Sequence, residues 1–243
     1  MKAVALVLLV LLALSLGFSA ARAQWGVPWY DARRDATGLA PDPATYREAV
    51  IQVYGARAVR WRGIFAVHTW IVVKPANAER YTRYEVIGWG VERGIPAIRV
   101  DRMGPDNYWF GAQPELILDR RGPGVDALIP KVQKAVQDYP WPNDYVIWPG
   151  PNSNTFTAWI GRQVPELRLD LPPTAIGKDF MDTPFGLSPS GTGVQLSLMG
   201  LFGGIVSLEE GIEFNLLGLS FGVDFNTPAL RLPGIGRLGF PQE

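Results

Sequence analysis

Ile64-Phe65-Ala66-Val67-His68-Thr69-Trp70-Ile71-Val72-Val73-Lys74 is the segment on which the fold turns. It is a run of β-branched and aromatic residues stopped by Pro75, which reads as a strand. Side chains alternate across a strand, so Phe65, Val67, Thr69, Ile71 and Val73 share one face, and Ala66, His68, Trp70 and Val72 share the other. Both faces are largely apolar, which predicts a central strand with the chain's single histidine, His68, buried in it. Upstream, Val50 to Arg60 reads as a partner strand joined through a turn at Trp61-Arg62-Gly63. Downstream, Tyr84 to Trp89 and Ala97 to Val100 read as further short strands, before turn chemistry at Gly104-Pro105-Asp106-Asn107.

Two helices follow. Gly124 to Asp138 carries Val125, Leu128, Ile129, Val132 and Val136 at helical spacing and is stopped by Pro140. After a short strand-like piece at Tyr145 to Trp148 and the rigid turn Pro149-Gly150-Pro151, Asn154 to Val164 reads as a second helix. Leu167, Leu169 and Leu171 alternate with charged residues and suggest an edge strand. Beyond Asp182 the composition shifts. From Pro184 to Val223 the only charges are Glu209, Glu210 and Glu213, glycines recur, and Val194, Leu196 and Leu198 alternate with Gln195, Ser197 and Met199. This predicts a glycine-rich β meander with a turn at Glu209-Glu210-Gly211. It would form a sheet packed on the main domain, or a surface resting on a membrane or a partner.

At the other end, Lys2, an apolar run from Ala3 to Leu14 and a small-residue site at Ala21-Arg22-Ala23 have the layout of a secretory signal peptide. An uncleaved anchor over residues 3–21 is the alternative, and either reading exports the body to the periplasm or cell envelope. Basic and acidic residues balance at 23 each, so the electrostatic footprint of a nucleic-acid partner is missing. The chain has no cysteine, which removes disulfides, thiol catalysis and cysteine–zinc sites, and one histidine does not make a multi-histidine metal site. No metal ligand set and no cofactor motif is read.

One constellation carries chemistry. Asn152-Ser153-Asn154 opens the second helix, where backbone N–H groups converge and favour negative charge. Ser153, Phe156, Ile160 and Val164 fall on one stripe, which predicts that Ser153 points inward with the apolar three. Ser153 as nucleophile and His68 as its base form a candidate dyad, and Glu85, Tyr84 or Thr69 could orient the imidazole. Plain helix capping is the other account of the polar triplet. Asn152, Asn154, Trp70 and Arg62 are candidate binding residues. Arg62 belongs to a cluster with Arg57 and Arg60 suited to a carboxylate or phosphate. The glutamates near 209–213 lack the spacing of a calcium loop.

A histidine strand, further strands, a helix, and then Asn152-Ser153 opening another helix resemble the circularly permuted papain-like fold, in the branch that includes the lecithin:retinol acyltransferase group. In that branch an Asn-Cys pair opens the helix, so Ser153 stands in the cysteine's place and His68 in that of the base. The resemblance spans roughly Ile64 to Arg168 and implies amide, ester or thioester chemistry, or a site that has kept binding alone. Ala66 to Ile71, Gly150 to Phe156 and the tail Leu232-Pro233-Gly234-Ile235-Gly236 are similar to an exported bacterial family, domain-of-unknown-function family 3750, which implies an envelope location and no set activity.

The expected protein is therefore α+β. It has a signal or anchor at 1–23, a papain-like core with a mainly antiparallel sheet and two main helices at 24–182, and a β-rich tail at 183–243. Its expected partners are a membrane surface or an envelope peptide or lipid. Its expected role is a binding groove, or alternatively a serine hydrolase or acyltransferase acting on peptidoglycan peptides or lipids.

Overall fold

The computed structural model describes residues 2–23 and 28–240; within its first helix the side chains of residues 2–9, 11 and 22 lie outside that description, as does Gln24 after the expected cleavage site. The fold is α+β, with two antiparallel sheets. The first contains β1 (Val50–Arg57), β2 (Val67–Lys74), β3 (Thr82–Val86), β4 (Ile98–Val100) and β5 (Glu115–Arg121) in the order β4-β3-β2-β1-β5. The segment read as the central strand is indeed the middle one. It pairs with β1 from Val50↔Lys74 to Arg57↔Val67 and with β3 from Ile71↔Tyr84 to Val73↔Thr82. The edge strand β5 escapes a sequence reading because Glu115, Asp119, Arg120 and Arg121 interrupt its pattern.

Helices α2 (Ile129–Gln137) and α3 (Ser153–Gln163) cover one face of this sheet. The helix expected from Gly124 starts later, because residues 126–128 form a 3-10 turn and Pro130 then occupies the first turn of α2, where its missing N–H costs nothing. Ile51, Val53, Ile71 and Val73 of the sheet close a core with Phe156 and Ile160 of α3 and with Val164 just after it, all at 0% exposure. Two expected strands are loops. Leu167, Leu169 and Leu171 are fully buried but pair with no strand; the Leu167 carbonyl accepts from the Arg120 side chain at 3.1 and 3.3 Å. Tyr145 to Trp148 is also irregular, with Val146 N–H donating to Pro151 O at 2.8 Å.

The other face of the first sheet carries Tyr54, Trp70 and Val72, roofed by Trp109 from the loop after Gly104. That loop is held to the lead-in segment by an Ala36↔Asn107 bridge and by Asp106, which accepts from Leu39 N–H at 2.6 Å.

The second sheet is a seven-stranded meander of β6 (Phe185–Leu187), β7 (Gly193–Leu198), β8 (Phe202–Ser207), β9 (Gly211–Leu216), β10 (Leu219–Asp224), β11 (Ala229–Leu232) and β12 (Gly236–Gly239), each pairing with its neighbour in sequence. Its alternation runs opposite to that of an ordinary soluble sheet. Gln195, Ser197, Glu213, Asn215, Ser220 and Arg231 are buried against the rest of the protein, while Leu196, Val206 and Phe214 face out. Many of the buried polar groups pair with one another. Asp179 accepts from Gln195 Nε2 (2.9 Å) and Asn215 Nδ2 (2.6 Å), and Glu213 from Lys178 Nζ (2.6 Å) and Arg231 Nη1 (2.8 Å).

Helix α1 (Lys2–Arg22) rests its C-terminal half on the body. The Ser15 hydroxyl donates to the Pro233 carbonyl, and Arg57 Nη1 donates to Ser19 Oγ at 2.6 Å. Among the described residues no helix is long and apolar enough to cross a membrane.

Candidate functional site

The N-terminus of α3 is built by the polar triplet, and two of its three members are structural. Asn152 is the N-cap. Its Oδ1 accepts from Asn154 N–H (2.9 Å) and Thr155 N–H (3.2 Å), and Thr155 Oγ1 accepts in return from Asn152 N–H (3.1 Å), a closed capping box. Its Nδ2 donates onward to the Ile147 and Ile176 carbonyls. Gly177 passes so close that a Cβ there would lie 2.4 Å from Asn152 Nδ2, and its φ of +101° suits glycine. Asn154 clamps the helix to β2: its Nδ2 donates to Val67 O (3.0 Å) and its Oδ1 accepts from Thr69 Oγ1 (2.9 Å).

Ser153 is what remains. It is 4% exposed, it opens the helix, and among the described residues no hydrogen bond engages its hydroxyl. Capping therefore accounts for Asn152 and leaves Ser153 unexplained.

His68 leaves β2 on the opposite side from Thr69, and so from the side that α3 covers. Its Nε2 is 2.9 Å from Glu85 Oε2, and its ring stacks on Trp109 with centroids 3.7 Å apart and planes 9° from parallel. Glu85 also accepts from Arg83 Nη2 at 2.8 Å, and Arg83 lies over the Trp70 ring at 4.0 Å. Burial pushes the His68 imidazole below its ordinary pKa, against the pull of Glu85, so the ring is neutral near pH 7. Burial also pushes the Glu85 carboxyl up, but the His68 hydrogen bond and the Arg83 charge outweigh it and hold the group ionised. A carboxylate only accepts, so Nε2 carries the proton and Nδ1 keeps the lone pair.

Ser153 and His68 meet at a cavity of about 750 Å³ at the end of the sheet, a size suited to a small molecule or an acyl chain. Its walls are largely apolar, with the aromatic rings of Trp61, Phe65, Trp89, Trp109, Tyr145 and Trp148 among them. Its polar groups are Asn152, Ser153, Asn154 and His68, with Arg62 and Glu92. Trp61, Trp89 and Trp148 are each about half exposed, at 57%, 52% and 50%. No hydrogen bond joins Ser153 to His68 among the described residues.

Of the candidates from sequence, Ser153, His68, Asn152, Asn154 and Arg62 line the cavity, and Glu85 stands behind His68. Trp70 does not line it. Trp70 is fully buried under the roof loop, with Nε1 donating to Pro105 O at 2.7 Å, because every second residue of β2 from His68 runs away from the open end of the sheet. Arg57 is turned to Ser19 and to the Gly63 carbonyl. Sequence reasoning missed Arg83 and Trp109. Arg83 sits two residues before Glu85, a same-face spacing that could have signalled it, whereas Trp109 arrives from a loop with no period to read.

A family model described as "Protein of unknown function (DUF3750)" matches residues 48–180, a span that holds the first sheet, His68, Glu85 and Ser153 and ends before β6. No curated protein and no solved structure matches the chain.

Proposed function

The chain belongs to the DUF3750 family, and from that premise we propose that it is an exported cell-envelope protein whose cleft binds an apolar ligand with a polar head. The observation that carries this reading is the polarity of the cavity: apolar walls that include six aromatic rings, and at one end the unengaged Ser153 hydroxyl beside the N-terminus of α3. A carboxylate or carbonyl head placed there meets the Ser153 hydroxyl and the positive end of the α3 dipole, the Asn154 and Thr155 N–H groups being held by Asn152 Oδ1, and an alkyl or aryl body meets the tryptophans. Export rests on Lys2, the apolar run and Ala21-Arg22-Ala23, and a mature N-terminus at Gln24 in mass spectra would support the cleaved form.

Titration with dodecanoate tests the cleft, because its tryptophans report occupancy. Saturable quenching is expected, weakened about fivefold in Ser153→Ala for the loss of one hydrogen bond worth about 1 kcal/mol. Neither dodecanoate nor a muropeptide changing the fluorescence would sink the proposal.

A second reading has its own observation in favour: Ser153 and a His68 oriented by Glu85 line the same cavity. In that case Ser153 Oγ would attack an ester or amide carbonyl and pass its proton toward His68 Nδ1. The leaving group would take that proton, and water would release the acyl group. His68 leaving β2 on the side opposite to the one α3 covers weighs against it. Labelling of Ser153 by a fluorophosphonate, abolished in both Ser153→Ala and His68→Ala, would establish catalysis over binding alone.

A further inference from the structure

We propose that the outward face of the second sheet docks on the hydrocarbon surface of a lipid bilayer. The proposal is independent of what the cleft binds. On all seven strands every outward position is Phe, Leu, Ile, Val or Gly. One row across the sheet pairs Val194 with Val206, Val206 with Ile212, Ile212 with Val223, and Val223 with Leu230. These side chains are 37–64% exposed. Every ionisable group on the strands is turned inward: Glu213 and Arg231 are 2% and 0% exposed and paired with each other, and Asp224 at 1% pairs with Arg237.

Two features favour a bilayer over a protein partner. First, protein interfaces end in a polar rim, whereas three of the connections here expose Met199, Leu208 and Phe225 at 61%, 72% and 66%. Second, the face is continuous with the cleft. Leu217 and Leu219, at the β9–β10 hairpin, line the cavity, and Trp148 Nε1 donates to Leu217 O at 3.0 Å. A molecule leaving a bilayer under the sheet would reach the cleft past that hairpin. Among the described residues the edge strands β6 and β12 each pair with one strand only, so the sheet lies on the membrane at interfacial depth and does not span it.

The absence of cysteine makes the test direct: Phe214→Cys and Val100→Cys each create one labelling site, both on exposed residues. The full-length protein, spin-labelled at either site, is mixed with phosphatidylcholine vesicles, and access of oxygen and of a water-soluble nickel complex is measured. The expected result is loss of nickel access and gain of oxygen access at 214, with position 100 on the edge strand β4 unchanged, and no dependence on salt or anionic lipid. Retained nickel access at 214 overturns docking. A label sheltered from both relaxants and dipolar-coupled to one on another molecule means that a second copy covers the face, which also overturns it. Docking that needs anionic lipid overturns the hydrocarbon-driven form.

Discussion

The two sheets of this protein are both antiparallel, and they solve the burial problem in opposite ways. The first hides apolar side chains on both faces, with Ile71 and Phe156 on the helix side and Tyr54 and Trp70 under the roof loop. The second turns its charges inward and its aliphatic side chains out. Its contact with the body is held by ion pairs such as Lys178–Glu213 (2.6 Å) and Arg231–Asp170. Hydrophobic burial is non-directional and tolerant, whereas a buried ionic network holds only when every partner is present. The difference teaches that the second sheet's hold on the body depends on pairing, while its apolar surface stays exposed.

The largest expected effect tests that contrast. Arg231→Ala strips Glu213 and Asp170 of a fully buried partner, and a loss of about 3–5 kcal/mol is expected from denaturant midpoints. A loss under about 1 kcal/mol would mean that the network does not hold the sheet. Ile71→Ala opens a cavity in the first core, with a loss of about 2–5 kcal/mol. In a double mutant the two losses should add, since the sites share no partner; strong coupling would break the picture of two separately stabilised layers.

A smaller effect comes with acid. The folded His68 imidazole lies below its ordinary value near 6.5, so as pH falls the unfolded chain takes up that proton first. The associated stability is present above about pH 6.5 and is lost below it, by at most about 1.4 kcal/mol per pH unit. Glu85, also held low, adds a further loss below the ordinary carboxylate range near 4.5. Urea melts at stepped pH should show the first loss in the wild type and a flat profile between pH 7 and 5.5 in His68→Gln. The smallest effect belongs to the outward face: Val206→Ser, at a 59%-exposed position, should change stability in solution by less than about 0.5 kcal/mol. A large loss there would show the face to be covered already.

Much of the architecture could be read from residue order alone. The run from Val67 to Lys74 announced a central strand because both of its alternating sets are apolar, and the stripe Phe156, Ile160, Val164 announced a helix with one buried side. The meander was visible in its glycines and alternation. What stayed hidden depends on partners distant in sequence. β5 is a strand because β1 offers it a ladder, despite its charges. Leu167, Leu169 and Leu171 have a strand's pattern and no strand to pair with. Trp109 reaches His68 from 41 positions away in sequence through a loop without period.

By itself, then, the sequence determined which side chains travel together: His68 with Trp70, Thr69 with Ile71, Leu196 with Val194. A period of two specifies the members of a face and says nothing about what covers it. Only tertiary packing decided that α3 lies on the Thr69 side, that His68 therefore leaves β2 on the other side and binds Glu85, and that the meander presents its apolar set outward. The reason is energetic: each face is chosen by the contacts it finally makes, and those contacts come from segments that local pattern does not connect.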